Sequence, residues 1–433
     1  MKVTVEELSP SKRALLVELP PDRVAARREE TVRELSRRLQ VPGFRKGKVP
    51  REVIERRFHA EVDEEMLREL IPISYQEALT QTALEPVGQP AVEDVHLHAG
   101  EPLRYKAVVD VKPAIALSDY KGIGLERDKI EVTDPEVDKA LEYLREDAAE
   151  YVPMDGWPVL RDDLLILDYE GTVQGKPFKG GSGKAATVAV GRGSILPGFD
   201  EQLLGLQKGD QKQFAISVPP EFPRKDLAGR TAEFRVVVRE VKKRRVPELN
   251  DEFAKTVSDV ETVAALKEQL KERIRTRKSR EQDGALKRTL MDKLVARHEI
   301  ELPEAMVERE MGAVLDELMM TLRMSGGRVE GLPDSPEAIR ARAREVGSRR
   351  VKESLLLEAV AKQEGLTVSE EEVAAEAKNM AAAYRQSPEA MQKLLEDPAR
   401  RAGLTGRLLE RKALDFLFQQ AVVTDAYRLI TPA

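Results

Sequence analysis

The spacing of apolar positions changes several times along the chain, and each change marks an expected element. "RALLVELP" and "LRYKAVVDV" read as strands. "PDRVAARREETVRELSRRLQ" and "PREVIERRFHAEVDEEMLRELIPISYQEALTQT" carry the three-to-four-residue spacing of amphipathic helices. Pro42, Gly43, Gly47 and Pro50 break the chain between those helices and predict an exposed turn. Residues 1–112 therefore read as an α+β domain.

In "VTDPEVDKALEYLREDAAEY", Thr133 and Glu136 have capping-box spacing, Pro135 suits a first helical turn, and Val137, Leu141, Leu144 and Ala148 share one face. "LTVSEEEVAAEAKNMAAAYRQ" echoes it, Val368, Ser369, Glu372 and Val373 standing where Val132, Thr133, Glu136 and Val137 stand. The echo predicts one helical body built from residues 113–149 and the C-terminal tail, with another domain inserted between them. That insert reads as short strands separated by glycine turns: "DLLILDYEGTV", "ATVAVG", "KQFAISVP" and "AEFRVVVREVKK". Beyond Pro247 the pattern is helical. Leu266, Leu270 and Ile274 lie four apart in a long segment charged on its other faces, which suits a projecting arm.

Aromatic residues sharpen this division. Eight of the nineteen lie between Tyr151 and Phe234, and only four lie beyond Phe253, so an aromatic-cored domain sits inside a long-helical chain. The 433 residues suit about three domains. A net charge of −6 is too small to steer whole-molecule binding and argues against a general DNA binder. With no cysteine there is no disulfide, thiolate metal site or thiol nucleophile. The N-terminus has no apolar core of signal-peptide type, and no apolar run approaches a membrane span, so the expected compartment is the cytoplasm, with no membrane partner.

Candidate nucleotide and metal motifs fail. "GRGSIL" has Leu196 where a dinucleotide loop needs its third glycine, and "GGSGKA" lacks the Ser/Thr that follows a phosphate-loop lysine. His96 and His98 are far in sequence from His59 and His298, so neither a metal nor a cofactor is expected. Two features remain. "VPGFRKGKVPREVIERRF" holds six cations and two carboxylates between Gly43 and Arg57, with an apolar ring at a glycine-flanked tip. A solvated turn gives Phe44 no task, whereas a ring among cations suits a surface of phosphate and apolar crevices. Five of eleven methionines, Met306, Met311, Met319, Met320 and Met324, lie in one helical stretch. They read either as core filler or as an adaptable client-binding face.

"GFRKGKVP" resembles the ribosome-docking loop of the bacterial trigger factor family, and the resemblance runs along the whole chain. It implies that Gly43, Phe44, Arg45, Lys46, Gly47 and Lys48 meet ribosomal protein and rRNA of the large subunit beside the exit tunnel. "DYEGTVQGKPFKGG" followed by "GRGSILPGFDEQLLGLQKGD" resembles the FK506-binding-protein (FKBP) type of prolyl isomerase, which that family carries at this position. The resemblance implies a curved sheet around a short helix, with Tyr169, Phe178, Ile195, Leu196, Phe199, Phe222 and Phe234 lining an apolar catalytic pocket. Lys179 stands where relatives are often acidic, and Phe222 and Pro223 stand where trigger factors commonly carry Tyr and His. A substrate hydrogen bond is therefore expected to be missing.

The implied fold is multidomain α+β: a ribosome-binding domain over 1–112, a linker and first part of a helical chaperone domain over 113–149, an FKBP-like domain over 150–246, and helical arms over 247–433. The implied function is an ATP-independent chaperone that shelters nascent and unfolded polypeptides, isomerises X–Pro bonds and forms a homodimer off the ribosome. Two other classes compete: a free-standing prolyl isomerase or holdase, and a structural or RNA-binding helical protein. The first leaves Phe44 without a role. The second lacks interleaved base-stacking aromatics outside the isomerase-like region.

Overall fold

The alternating patterns at 12–19 and 103–110 become neighbouring strands. In the computed structural model, which describes residues 1–38, 44, 49–98, 100–192, 195–325, 331 and 335–426, β1 (Lys2–Ser9) and β2 (Lys12–Leu19) form a hairpin. Then come α1 (Pro21–Arg38), α2 (Arg51–Arg57) and α3 (His59–Thr82), and β3 (Ala91–His96) and β4 (Leu103–Asp110) complete an antiparallel sheet of order β1-β2-β4-β3. Leu15, Val17 and Leu19 of β2 and Leu103, Tyr105, Ala107 and Val109 of β4 face Met66, Leu70, Tyr75 and Ala78 of α3. Period-two burial on the sheet thus meets helical burial on α3.

The stretch read as one helix over 50–82 is two. Phe58, with φ −128° and ψ 31°, leaves helical geometry. Its ring packs against a small core of Val32, Leu35, Val49, Ile54 and Val62 that ties α1, α2 and α3 together. Arg23 grips Glu77 through contacts of 2.7 and 2.9 Å, Arg28 pairs with Asp63 at 2.7 Å and Arg27 pairs with Glu69, so α1 is laced along α3.

The chain divides by contact into two compact units, Met1–Asp128 with Asp283–Ala433, and Lys129–Gln282. These limits cut across the segments expected at 113–149 and 247–433. The first unit continues past β4 to β5 (Gly124–Asp128).

The second unit begins with α4 (Asp134–Asp147), whose N-terminus carries the expected capping box. Next are β6 (Glu150–Pro153), β7 (Leu164–Val173), β8 (Lys176–Ala189), a 3-10 turn at Asp200–Leu203, β9 (Gln211–Ser217) and β10 (Thr231–Arg245). β10 is central: it pairs with β7 along one edge, and with β9 and then β6 along the other, all antiparallel. β8 pairs with β7 through two register shifts. Its glycine-rich first half, read from sequence as a turn, is therefore strand. α5 (Asp251–Val257) and the first part of α6 (Val263–Arg297) close the unit: Phe253, Leu266, Leu270 and Ile274 bury Val137 and Leu141 of α4. The leucine stripe on α6 is thus a core seam, not the bare face of a projecting arm.

Back in the first unit, the end of α6 is followed by α7 (Glu304–Met324), α8 (Pro336–Gln363), α9 (Glu370–Ala383), α10 (Pro388–Leu394), α11 (Pro398–Gln419) and β11 (Val422–Ala426), which pairs in parallel with β5. Leu286, Leu290, Leu294, Leu356, Val360 and Leu417 build the core around Tyr120, Ile123 and Leu125. α7 starts after Pro303, which offers no side-chain cap. Asp110 at the end of β4 supplies one, accepting from the Ala305 N–H at 2.7 Å, while Ser9 and Ser11 donate to Glu301 at 2.5 and 2.7 Å. Among the described residues no helix is long and apolar enough to cross a membrane, and no group of three or more His, Cys, Asp or Glu could hold a metal ion.

Candidate functional site

Three glycines make room for the rings of the second unit. A Cβ on Gly171 of β7 would lie 2.4 Å from Phe234 Cε1, one on Gly181 of β8 would lie 2.9 Å from Phe178, and one on Gly183 would lie 2.6 Å from Tyr169. Each ring rests where a side chain is missing, which is why "GTVQGKPFKGGSG" borders an aromatic cluster. Phe199 and Phe234 form its floor, 0% and 2% exposed, with centroids 5.0 Å apart at 79°. Tyr169 lies 5.9 Å edge-on to Phe199, and Phe178 lies 6.1 Å from Phe234 at 88°. Such edge-to-face pairs contribute about 0.5–1.5 kcal/mol each beyond their burial. Leu196 is buried beside them, and Tyr169, Phe178, Ile195 and Phe222 pack against the core while only partly buried, forming the rim.

All seven residues named from the sequence thus belong to one cluster. Phe214 of β9 joins it unannounced, 5.4 Å from Phe199 and 5.9 Å from Phe234. Its signal was the alternation in "QKQFAIS", which sends Phe214 and Ile216 inward together. Arg224 was also missed. It lies two residues beyond Phe222, its guanidinium 5.7 Å from the Phe178 centroid, and it donates to the Lys179 carbonyl at 2.7 Å.

The cluster itself is built of rings and aliphatic side chains. The Tyr169 hydroxyl donates to the Gly180 carbonyl at 3.3 Å. The nearby buried carboxylates hold loops. Asp163 accepts from Trp157 Nε1 at 3.2 Å, Leu160 N at 2.9 Å and Arg244 N at 3.1 Å, and Asp200 accepts from Gly191 N at 2.9 Å.

In the first unit, Phe44 is 38% exposed. Gly43, Arg45, Lys46, Gly47 and Lys48 lie outside the described residues. Of the five methionines, Met306 is core, packed with Val307, Val351 and Leu355, so it is corrected from a client contact to a structural residue. Met311 is half-buried where α7 crosses α8. Met319, Met320 and Met324 are 52%, 64% and 80% exposed along the last turns of α7. A cleft of about 990 Å³ lies among α7, α8 and α11, its lining including Met306, Glu317, Arg350, Gly406, Arg407 and Glu410. A second groove of about 490 Å³, lined by Met380, Tyr384, Met391, Leu394 and Leu404, lies among α9, α10 and α11.

Family models match three segments. Residues 1–144 match the bacterial trigger factor protein, 262–419 its C-terminus, and 158–239 the FKBP-type peptidyl-prolyl cis-trans isomerase. Among similar proteins, trigger factor of Halothermothrix orenii is 34% identical over 97% of this chain and 99% of its own, and that of Bacillus subtilis is 36% identical over 97% and 100%. A solved structure of the trigger factor chaperone, concerned with promiscuous substrate recognition in folding and assembly, superposes over 97% of this chain and 99% of its own, with a TM-score of 0.61 and 26% identity. Full-length matches of this kind, with the aromatic cluster inside the isomerase segment, mean that the chain belongs to the bacterial trigger factor family and carries an FKBP-type peptidyl-prolyl cis-trans isomerase domain.

Proposed function

We propose that this protein is a cytoplasmic, ATP-independent chaperone that docks on the large ribosomal subunit beside the exit tunnel through Gly43–Lys48, shelters emerging polypeptides and isomerises their X–Pro bonds. One observation carries the docking half. Phe44 is 38% exposed, whereas Phe58 at the other end of the same segment is inserted into the small core beneath α1 and α2. An exposed ring with cations next to it in sequence suits a crevice bordered by RNA phosphate. Met319, Met320 and Met324 offer unbranched, polarizable side chains to varied apolar client segments. Off the ribosome, the same surfaces would serve in a homodimer.

The isomerase half follows from amide chemistry. The planar X–Pro bond is charge-separated by resonance, and twisting it removes that separation while crossing a barrier of about 18–20 kcal/mol. A pocket floored by Phe199 and Phe234 disfavours the polar ground state more than the twisted one. The rim rings of Tyr169, Phe178 and Phe222, with Ile195 and Leu196, hold the pyrrolidine while the preceding residue rotates. Bringing a ~100 s process to milliseconds requires about 7 kcal/mol of differential stabilisation, within reach of desolvation and positioning without a metal or general acid.

Co-sedimentation with bacterial ribosomes across a salt series tests the docking. The wild type should pellet at low salt and be released as salt rises, because cations on RNA displace counterions. The Phe44→Ala/Arg45→Ala/Lys46→Ala variant should stay in the supernatant. If the wild type also stays in the supernatant, the protein is a free-standing isomerase or holdase.

A further inference from the structure

The segments that carry Phe178 and Phe222, residues 176–184 and 219–230, hold Lys176, Lys179, Lys184, Arg224, Lys225 and Arg230 against only Glu221 and Asp226, in a chain whose net charge is −6. Arg224 is held firmly at the mouth of the pocket. Its Nε and Nη2 donate to Asp226 at 3.3 and 2.6 Å, its Nη1 donates to the Lys179 carbonyl at 2.7 Å, and its Cζ lies 5.7 Å from the centre of the Phe178 ring. Three of its five N–H groups are used and two remain. Asp226 is committed to this pair: the Arg224 hydrogen bonds hold its carboxyl below the usual range. Arg224–Asp226 is the one ion pair formed within these two segments among the described residues, which leaves Lys179, exposed beside Phe178, without a carboxylate partner there.

We propose that this cationic rim sets substrate preference: Lys179 and Arg224 recognise an acidic side chain flanking the proline, so acidic X–Pro segments are bound in preference to basic ones. The inference rests on the aromatic pocket being the site of isomerisation. The rim lies against apolar rings, where part of the water is displaced, so its charges act more strongly than at a bare surface. Because the flanking side chain does not change as the amide twists, its attraction is the same in ground and transition states and appears in KM rather than kcat.

The test is prolyl isomerisation by the full-length protein on matched tetrapeptides carrying Glu, Gln or Lys, in one series before the proline and in another after it. The Glu peptide should show a KM about five-fold lower than the Lys peptide in at least one series, a gap that narrows with salt. Lys179→Glu should invert the order, Lys179→Arg should keep it, and Arg224→Gln should reduce it. Equal KM values in both series, or a preference that survives Lys179→Glu, overturn the inference. Phe234→Leu separates the layers. If it lowers turnover of every peptide while the rim variants change no preference, only the rim inference falls. If it leaves turnover intact, the pocket itself is not the site.

Discussion

Lys278 donates a 2.8 Å hydrogen bond to the Glu136 carboxylate, which itself accepts from the Thr133 N–H at 3.0 Å and so closes the first turn of α4. Lys412 stands in the same relation to Glu372, at 2.7 Å, where Glu372 accepts from the Ser369 N–H at 2.8 Å. Each lysine also donates, at 2.7 Å, to the backbone carbonyl two residues before the cap, Glu131 in one case and Thr367 in the other. Val137 packs against Leu270 and Ile274, and Val373 against Leu404 and Leu408. The echo between residues 132–137 and 368–373 therefore extends to a lysine and apolar residues of the helix packed against each.

The pH dependence of these pairs has a definite sign. Both carboxyls are held below their usual range, first by the lysine and then by the cap N–H. A carboxyl lowered in the folded state adds stability that is full above its unfolded value and is lost as pH falls through the folded value. Glu136→Gln and Glu372→Gln should each lower the melting temperature slightly at neutral pH, since the pairs are exposed. The gap should close toward acid. A gap of the same size at the acid end would mean that packing, not charge, holds these turns.

The pocket glycines make a sharper prediction. Gly171→Ala forces a Cβ within 2.4 Å of the Phe234 ring and 2.9 Å of the Gly181 carbonyl, with rigid groups on both sides. Overpacking of this kind costs about 1–3 kcal/mol. The variant should unfold earlier in denaturant and lose isomerase kcat/KM, because the displaced Phe234 is the floor of the pocket. Unchanged activity would remove Phe234 from the site.

Much of this was legible in the sequence, and the misses share a cause. Capping boxes, strand alternation and the grouping of the seven apolar residues into one cluster depend on neighbours a few positions away, or on a motif that carries its spacing with it. The break at Phe58, the core role of Met306 and the guanidinium of Arg224 depend on partners far along the chain: Val32 for the first, Val351 for the second, Lys179 for the third. Glycine-rich strand β8 was misread because glycine signals a turn locally. Here it signals a ring lying across the strand, which only the sheet register reveals.

Gly347 and Gly312 separate two uses of glycine on the α7–α8 pair. A Cβ on Gly347 would meet the Met311 backbone nitrogen at 2.9 Å, so the helices touch backbone to backbone there, whereas a Cβ on Gly312 meets nothing within 4 Å. Gly347→Ala should push the helices apart at a cost of about 1–3 kcal/mol. Gly312→Ala should instead stabilise by about 0.5–1 kcal/mol through helix propensity alone. Denaturant midpoints of the two variants should therefore move in opposite directions from the wild type. Movement in the same direction would show that the close approach at Gly347 is not what holds the pair.

The methionines of α7 divide in the same way between structure and function. Met306 is 6% exposed and touches Val307, Val351 and Leu355, so Met306→Ala should cost about 2–5 kcal/mol. Because that loss comes from the core, any fall in chaperone action should track unfolding. Met319, Met320 and Met324 are more than half exposed. Replacing all three with Gln keeps length and helix propensity and should leave the melting temperature within a few degrees, since each surface change of this kind stays within about ±0.5 kcal/mol. The triple variant should nevertheless suppress aggregation of a denatured client less well, because the apolar, polarizable contacts are gone. Light scattering of a refolding client, run alongside thermal melts of both variants, distinguishes the roles. Full suppression by the triple variant would move client binding to the grooves lined by α9, α10 and α11.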